Sequence, residues 1–276
     1  MPELPEVEST RRAVATALEG KRIVSVDVAR ARMLRRQHHP ADFATRMVGR
    51  TIRRFGRHGK FLMAELSGDL TWVTHLGMSG RVQLATSTET RSPHTNAIVR
   101  VGGRVEFRLV DPRTFGFVAV FTPAELAEST IGALGPDAYD HMPTTRELLA
   151  TLAGRTAPVK ALLLDQRLLS GVGNIYADES LHRARISPHR EGGSLRGPEV
   201  VALRTSILAT LEAGIEHGGT SLDDLAYLLP DGRTGAFVAR LRVYGREQSR
   251  CGRCGGPIRR DVIRQRSSYW CPGCQR

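Results

Sequence analysis

Two groups of residues in this 276-residue chain have types and spacings suited to chemistry. The first is Met1-Pro2-Glu3-Leu4-Pro5-Glu6. Removal of the initiator Met1 leaves proline at the chain end, a secondary amine with carboxylates one and four residues further on. A chain-terminal amine titrates near about 8, below lysine, so more of it is unprotonated and nucleophilic near neutral pH. When a secondary amine attacks a sugar carbon it yields an iminium ion, which holds its charge without a proton and draws electrons from neighbouring bonds. The same residues also suit a plain helix start, with proline in the first turn and Glu3 and Glu6 complementing the dipole. The second group is Cys251-Gly252-Arg253-Cys254, followed after sixteen residues by Cys271-Pro272-Gly273-Cys274. Two such pairs are the ligand pattern of a tetrahedral four-thiolate zinc site with a hairpin between them. One Zn2+ is expected, structural because thiolate fills every position. Its binding supplies about 10–16 kcal/mol of apparent free energy, enough to hold a segment too small for its own core.

The elements that must carry these groups follow from pattern and punctuation. Val7, Val14 and Leu18 recur at helical spacing up to Gly20. Strand-like runs follow at 21–28, 49–55, 60–66, 70–74, 81–84, 97–101, 105–110 and 115–121, broken by Gly, Asn, Ser and Pro; many short strands of this kind suggest a β-sandwich or barrel. Composition shifts near Thr122-Pro123. Beyond Pro143 helices are expected over 144–153, where Thr144 and Glu147 fit a capping box, and over 159–165, 175–184 and 198–214. The Gly-, Asp- and Leu-rich stretch 218–233 reads as a mobile loop. The expected division is a catalytic domain 1–122, a linker 123–142, a helical domain 143–240 and a zinc finger 241–276.

The net charge of +12 draws such a chain to polyanions, nucleic acid first. No apolar run reaches membrane-spanning length and no signal peptide is visible, so a cytoplasmic protein without a membrane partner is expected. Four cysteines, all in the last 26 residues, fit a reducing compartment and one metal site. The arginine-rich tail suits phosphate contacts.

Weaker motifs lie between. Gly171-Val172-Gly173-Asn174 is either a helix corner or a turn that offers N–H groups and the Asn174 amide to a phosphate. Arg53, Arg54 and Arg57 beside His58-Gly59-Lys60 read as a solvated charge run. His75-Leu76-Gly77-Met78-Ser79-Gly80 and Asp111-Pro112-Arg113-Thr114-Phe115-Gly116 place Met, Arg and Phe in turns. Taken singly these are turn or core residues; together they suit wedges that fill the gap left when a base leaves a duplex.

In this order, with Pro2 to Glu8, Gly59-Lys60, Gly171 to Tyr176 and Gln265-Arg266 ahead of Tyr269-Trp270-Cys271, the motifs make the chain resemble the bacterial formamidopyrimidine-DNA glycosylase family nearly end to end. The resemblance implies an α+β, two-domain fold: an N-terminal helix plus β-sandwich, then a helix–two-turn–helix domain with a C-terminal four-cysteine zinc-finger hairpin. It implies a monomer that acts on double-stranded DNA containing oxidised purines. Pro2 is then the nucleophile, Glu3 the acid that protonates the opening sugar oxygen, Lys60 the proton donor of β-elimination, and Arg266 the phosphate grip that assists δ-elimination. His94, Arg155, Lys160 and Asn174 are expected at DNA, Arg155 because Thr156 stands where a lysine is usual. Met78, Arg113 and Phe115 match the void-filling triad. Glu6 matches a carboxylate at the base pocket, and the stretch 220–233 is expected to cover the flipped base. Thr114 and Thr95-Asn96-Ala97 depart from the family pattern. Two other readings are an endonuclease VIII-type enzyme for oxidised pyrimidines and a non-catalytic zinc-finger DNA-binding protein.

Overall fold

A computed structural model describes residues 2–222 and 227–276. Contacts divide the chain into two compact units, Met1–Ala133 with Ile215–Val238, and Leu134–Gly214 with Ala239–Arg276.

The first unit opens with helix α1 (Leu4–Leu18). Pro5 occupies its first turn, and the Glu3 N–H donates to Glu6 Oε2 at 2.7 Å, closing the helix start as the sequence suggests. Leu4, Val7, Val14 and Leu18 form its buried face. There follow β1 (Ile23–Val28), a 3-10 turn (Ala31–Leu34), α2 (Asp42–Met47), β2 (Ile52–His58), β3 (Phe61–Leu66), β4 (Leu70–His75), β5 (Arg81–Thr86), β6 (Thr95–Val101), β7 (Val105–Val110), β8 (Phe117–Phe121) and α3 (Pro123–Glu128). The strands make two antiparallel four-stranded sheets, ordered β1-β6-β7-β5 and β2-β3-β4-β8. Their inner faces share one core, in which the rings of Trp72 and Phe107 meet edge to face at 4.8 Å. This is the expected β-sandwich.

Side-chain links run from α1 and its C-cap to β2: Glu19 accepts the Phe55 N–H at mid-strand, Arg11 donates to Phe55 O at 3.3 Å, and Glu8 meets Arg57 at 3.4 Å near the strand's end. The N-terminus of α1 therefore lies toward the His58 end of β2. Arg57 is not part of a solvated run: its side chain is fully buried and also donates to Gly59 O. Arg53 and Arg54 are exposed, as expected.

The second unit holds α4 (Thr145–Leu152), α5 (Val159–Leu163), α6 (Asn174–Ala184), α7 (Gly197–Glu216, whose last two residues fall in the first unit) and the hairpin β9 (Arg259–Ile263) and β10 (Arg266–Trp270). The Thr144–Glu147 capping box is present. Between α5 and α6, Gln166 accepts the Gly171 N–H and donates to Leu164 O and Val172 O, so one side chain shapes the double turn.

Several boundaries differ from the sequence reading. The 29–48 stretch, without apolar periodicity, contains the 3-10 turn and α2. Strand β8 starts at Phe117, because Phe115 and Gly116 belong to the turn before it. Residues 215–238, expected with the helical domain, pack with the first unit: the Thr220 N–H donates to Glu6 Oε1 at 2.7 Å and the Leu84 N–H to Pro230 O at 3.0 Å. The centre of the expected 218–233 loop, residues 223–226, lies outside the described residues. Among the described residues no helix is long and apolar enough to cross a membrane.

Candidate active site

Register places several of the expected residues at one end of the β2-β3-β4-β8 sheet. Phe61 pairs with His75 and His75 pairs with Phe117. Lys60 precedes the first of these, the Met78 turn follows the second, and the Arg113–Phe115 turn precedes the third. The direction of α1 brings buried Pro2 and Glu3 to the same end. Lys60 follows Gly59, whose left-handed φ of 56° and carbonyl bond from Arg57 fix the β2–β3 turn.

The Met78 turn and the Arg113–Phe115 turn are built on Asp111. Its carboxylate, wholly buried, accepts the Gly116 N–H at 2.7 Å, the Arg113 N–H at 3.2 Å and the Ser79 hydroxyl at 2.7 Å. The turns meet backbone to backbone: a Cβ on Gly77, which has φ 65°, falls 2.4 Å from the Gly116 nitrogen. Phe115 is exposed and the Arg113 guanidinium lies 4.7 Å from its ring centroid, a cation–π pair that orders both. Thr114, the departure noted in the sequence, has φ 54°. A β-branched residue there carries strain of about 1–3 kcal/mol, retained only where neighbours hold it. Exposed His94 is also left-handed, with φ 63°, and its carbonyl accepts the Asp111 N–H. The departure at Asn96 is explained too, since its buried amide donates to Asp111 O at 2.7 Å.

His75 was not singled out from the sequence as a site residue. It stacks on Phe117, and its Nδ1 accepts the Gly77 N–H, so the ring is neutral with its proton on Nε2. Burial, then the charges of Lys60, Arg35 and Arg36, lower it to about 4. An unfolded histidine titrates near about 6.5, so below that pH the unfolded chain binds the extra proton and the native state does not. His75 therefore contributes stability that is present above about pH 6.5 and lost as pH falls through 4, by at most about 3 kcal/mol. Urea melts of His75→Asn between pH 7 and 4 should show a flattened acid limb.

Glu6 is buried with both oxygens engaged, one by Glu3 N–H and one by Thr220 N–H, and the Tyr227 hydroxyl donates to its carbonyl. The start of α1 is thus tied to Thr220 and Tyr227.

In the second unit, α6 carries a polar face against the hairpin. Asn174 Nδ2 donates to Ser267 O at 3.0 Å, next to exposed Arg266; Asp178 accepts the Tyr269 N–H; Glu179 accepts the N–H groups of Arg242, Val243 and Tyr244. His182 Nε2 lies 3.4 Å from Cys251 Sγ. Lys160, expected at DNA, has its ammonium among protein oxygens. Its side chain is fully buried, paired with Asp178 at 2.7 Å and bonded to Ser267 O at 2.7 Å and Ser268 Oγ at 2.8 Å. These contacts tie Lys160 to Asp178 and to β10. Burial pushes Asp178 up to about 7 against the pull of Lys160. Lys160→Met should cost about 3–5 kcal/mol in urea unfolding by stranding Asp178, with part recovered by adding Asp178→Asn. It should leave the salt slope of duplex binding unchanged, whereas Arg266→Ala lowers that slope by about one. Exposed Arg155 donates to Thr151 O at 2.6 Å, closing the end of α4.

The four cysteine sulfurs lie within 4.8 Å of one another, with Cys254–Cys271 at 3.4 Å and Cys251–Cys274 at 3.8 Å, and no disulfide joins them. Thiolates about 2.3 Å from a shared tetrahedral centre stand about 3.8 Å apart, so the cluster fits a metal ion. Burial, then the neighbouring thiols, push Cys274 up to about 12; four sulfurs this close do not all ionise without a cation between them.

Three family models match the chain: the formamidopyrimidine-DNA glycosylase N-terminal domain over residues 1–118, the H2TH domain of the same proteins over 134–225, and the zinc finger found in FPG and IleRS over 248–276. The chain belongs to the formamidopyrimidine-DNA glycosylase family. A formamidopyrimidine-DNA glycosylase from Bacillus licheniformis is 38% identical over all of both chains. Two solved Lactococcus lactis Fpg complexes, one a variant with Fapy-dG DNA and one the wild type with oxidised-pyrimidine DNA, are each 30% identical, cover all of both chains, and give TM-scores of 0.91 and 0.90. In this glycosylase fold the unit that bears Pro2, Glu3, Glu6, Lys60, Met78, His94, Arg113 and Phe115 is distinct from the H2TH and zinc-finger unit that bears Arg155, Lys160, Asn174, Arg266 and the cysteines. Sequence reasoning missed Asp111 and His75 as organisers. Asp111-Pro112 ahead of Gly116 was the available signal for the first, as an Asx turn.

Proposed function

We propose that this chain excises oxidised purines, 8-oxoguanine and formamidopyrimidines, from double-stranded DNA and then cuts the strand at the abasic site. The observation that carries the reading is the convergence of Pro2, Glu3, Lys60 and the two wedge turns at one end of one sheet. Met1 removal exposes the Pro2 nitrogen, which attacks C1′. The C1′–base bond breaks, its electrons leave with the base, and Glu3 protonates the ring oxygen as the sugar opens. The resulting iminium acidifies the C2′ hydrogens. Loss of one proton expels the 3′ phosphate, a second elimination expels the 5′ phosphate, and a one-nucleotide gap remains. Lys60 supplies the proton in the first elimination; Arg266 grips the phosphates for the second. Met78, Arg113 and Phe115 fill the void, with Arg113 facing the orphaned cytosine, and Glu6, held by the Thr220 N–H, borders the base pocket. His94, Arg155 and Asn174 contact the DNA backbone.

The four cysteines would hold one zinc ion, which supplies folding energy and none of the bond-breaking chemistry. The enzyme works as a monomer in the bacterial cytoplasm, on the nucleoid. Duplexes carrying 8-oxoguanine or thymine glycol opposite defined bases test the substrate assignment. Faster release of the purine lesion is expected; faster release of thymine glycol assigns the chain to oxidised pyrimidines, the second reading that the oxidised-pyrimidine complex of the Lactococcus relative favours.

A further inference from the structure

We infer that Arg35, with Arg32 and Gln37 beside it, is a bracket that positions the Phe115 wedge turn and acts on the reaction only through that wedge; the inference rests on the function proposed above. The turn needs such a bracket, because Thr114 stands in the left-handed region. Asp111 holds its N–H groups from one side. From the other side, three successive carbonyls are each held by a guanidinium: Arg32 Nε donates to Thr114 O at 3.3 Å, and Arg35 donates to Phe115 O at 2.6 Å and to Gly116 O. Arg32 lies in the 3-10 turn and Arg35, three residues on, is its C-cap, still in the right-handed helical region, so the two eclipse on one face. The Arg35 guanidinium also lies 5.4 Å from the Phe117 ring centroid. Two residues on, buried Gln37 accepts the Val120 N–H at 2.7 Å and donates to Val120 O at 3.1 Å, as a neighbouring strand would along the free edge of β8. The 32–37 segment thus fastens both the turn and the strand that follows it. Because Gly77 abuts Gly116, the Met78 turn rests on the same support.

The test uses the full-length, metal-loaded protein, a duplex with one 8-oxoguanine beside 2-aminopurine, and a single-stranded oligonucleotide with one abasic site. The single strand has no partner and leaves no void to fill. Arg35→Met should slow excision from the duplex by about tenfold and reduce the 2-aminopurine rise, while borohydride trapping on the single strand stays within about twofold. In a Phe115→Ala background the same substitution should add less than about twofold. Amide exchange at Phe115 and Gly116 should quicken by about tenfold, a readout independent of activity. Arg35→Lys, which keeps the charge and loses the fork, should give the same pattern at about threefold and serves if the methionine variant does not fold. Equal losses on duplex and single strand, a full tenfold loss without Phe115, or unchanged exchange would each overturn the bracket. A salt slope lowered by about one would instead make Arg35 a phosphate contact. Absence of any wild-type adduct would remove the proposed function, leaving the exchange result to decide the bracket.

Discussion

A chain extended by one residue ahead of Pro2 is expected to form no borohydride-trapped adduct on abasic DNA, a loss of at least about a thousandfold. The extension turns the proline nitrogen into an amide, which has no basic lone pair, and removing a covalent nucleophile costs this much or more in enzymes that depend on one. Sandwich packing and DNA affinity should survive, since the extension disturbs no core residue. Glu3→Gln offers the complementary result. Its acid is needed to open an intact nucleoside sugar but not an abasic one, whose hemiacetal opens to the aldehyde unaided, so base release should collapse while trapping on abasic DNA persists. Single-turnover assays on the two substrates measure both. If the extended chain traps as well as the native one, the nucleophile lies elsewhere.

Stripping the metal is the second large effect. The hairpin region has a very small core, Val243, Cys251, Ile258 and Cys271 with Tyr269 and Cys274 against it. Against a metal contribution of about 10–16 kcal/mol, that core cannot hold β9 and β10 alone. Chelation, or Cys254→Ser, should release the amides of 251–274 to rapid hydrogen exchange and abolish duplex binding, because Arg266 loses its place. The network around Lys160 should open with it, since Ser267 O and Ser268 Oγ both accept from the lysine. Native mass spectrometry should find one zinc per folded chain. Full amide protection in metal-free protein would contradict the structural role.

How far the sequence could be read depended on the range of the interactions. Local patterns were legible: the apolar spacing of α1, the alternation of the strands, the Thr144–Glu147 box and the cysteine pairs each depend on neighbours in sequence. Long-range side-chain-to-backbone contacts were not. The resemblance implies a DNA contact for Lys160 but not its protein partners, and only the fold brings Ser267, 107 residues away, to its ammonium. The arginines at 32 and 35 carry no periodicity, and their partners lie about 80 residues on, at 114–116. Sequence alone extends the helical domain through residues 215–238, because no local signal announces that Thr220 meets Glu6. Phe115-Gly116 blended into the apolar run of β8, which hid the end of the wedge turn. The candidate nucleophile, acid and metal ligands were therefore readable as residue types, while the residues that aim them were not.

The most direct measurement is peptide mapping by mass spectrometry of the borohydride-reduced adduct between the native enzyme and DNA with one 8-oxoguanine. The account predicts a single modified peptide that begins at Pro2 and carries the sugar remnant on the proline nitrogen. A remnant on Lys60 or any other lysine, or an active enzyme that still carries Met1, would contradict it.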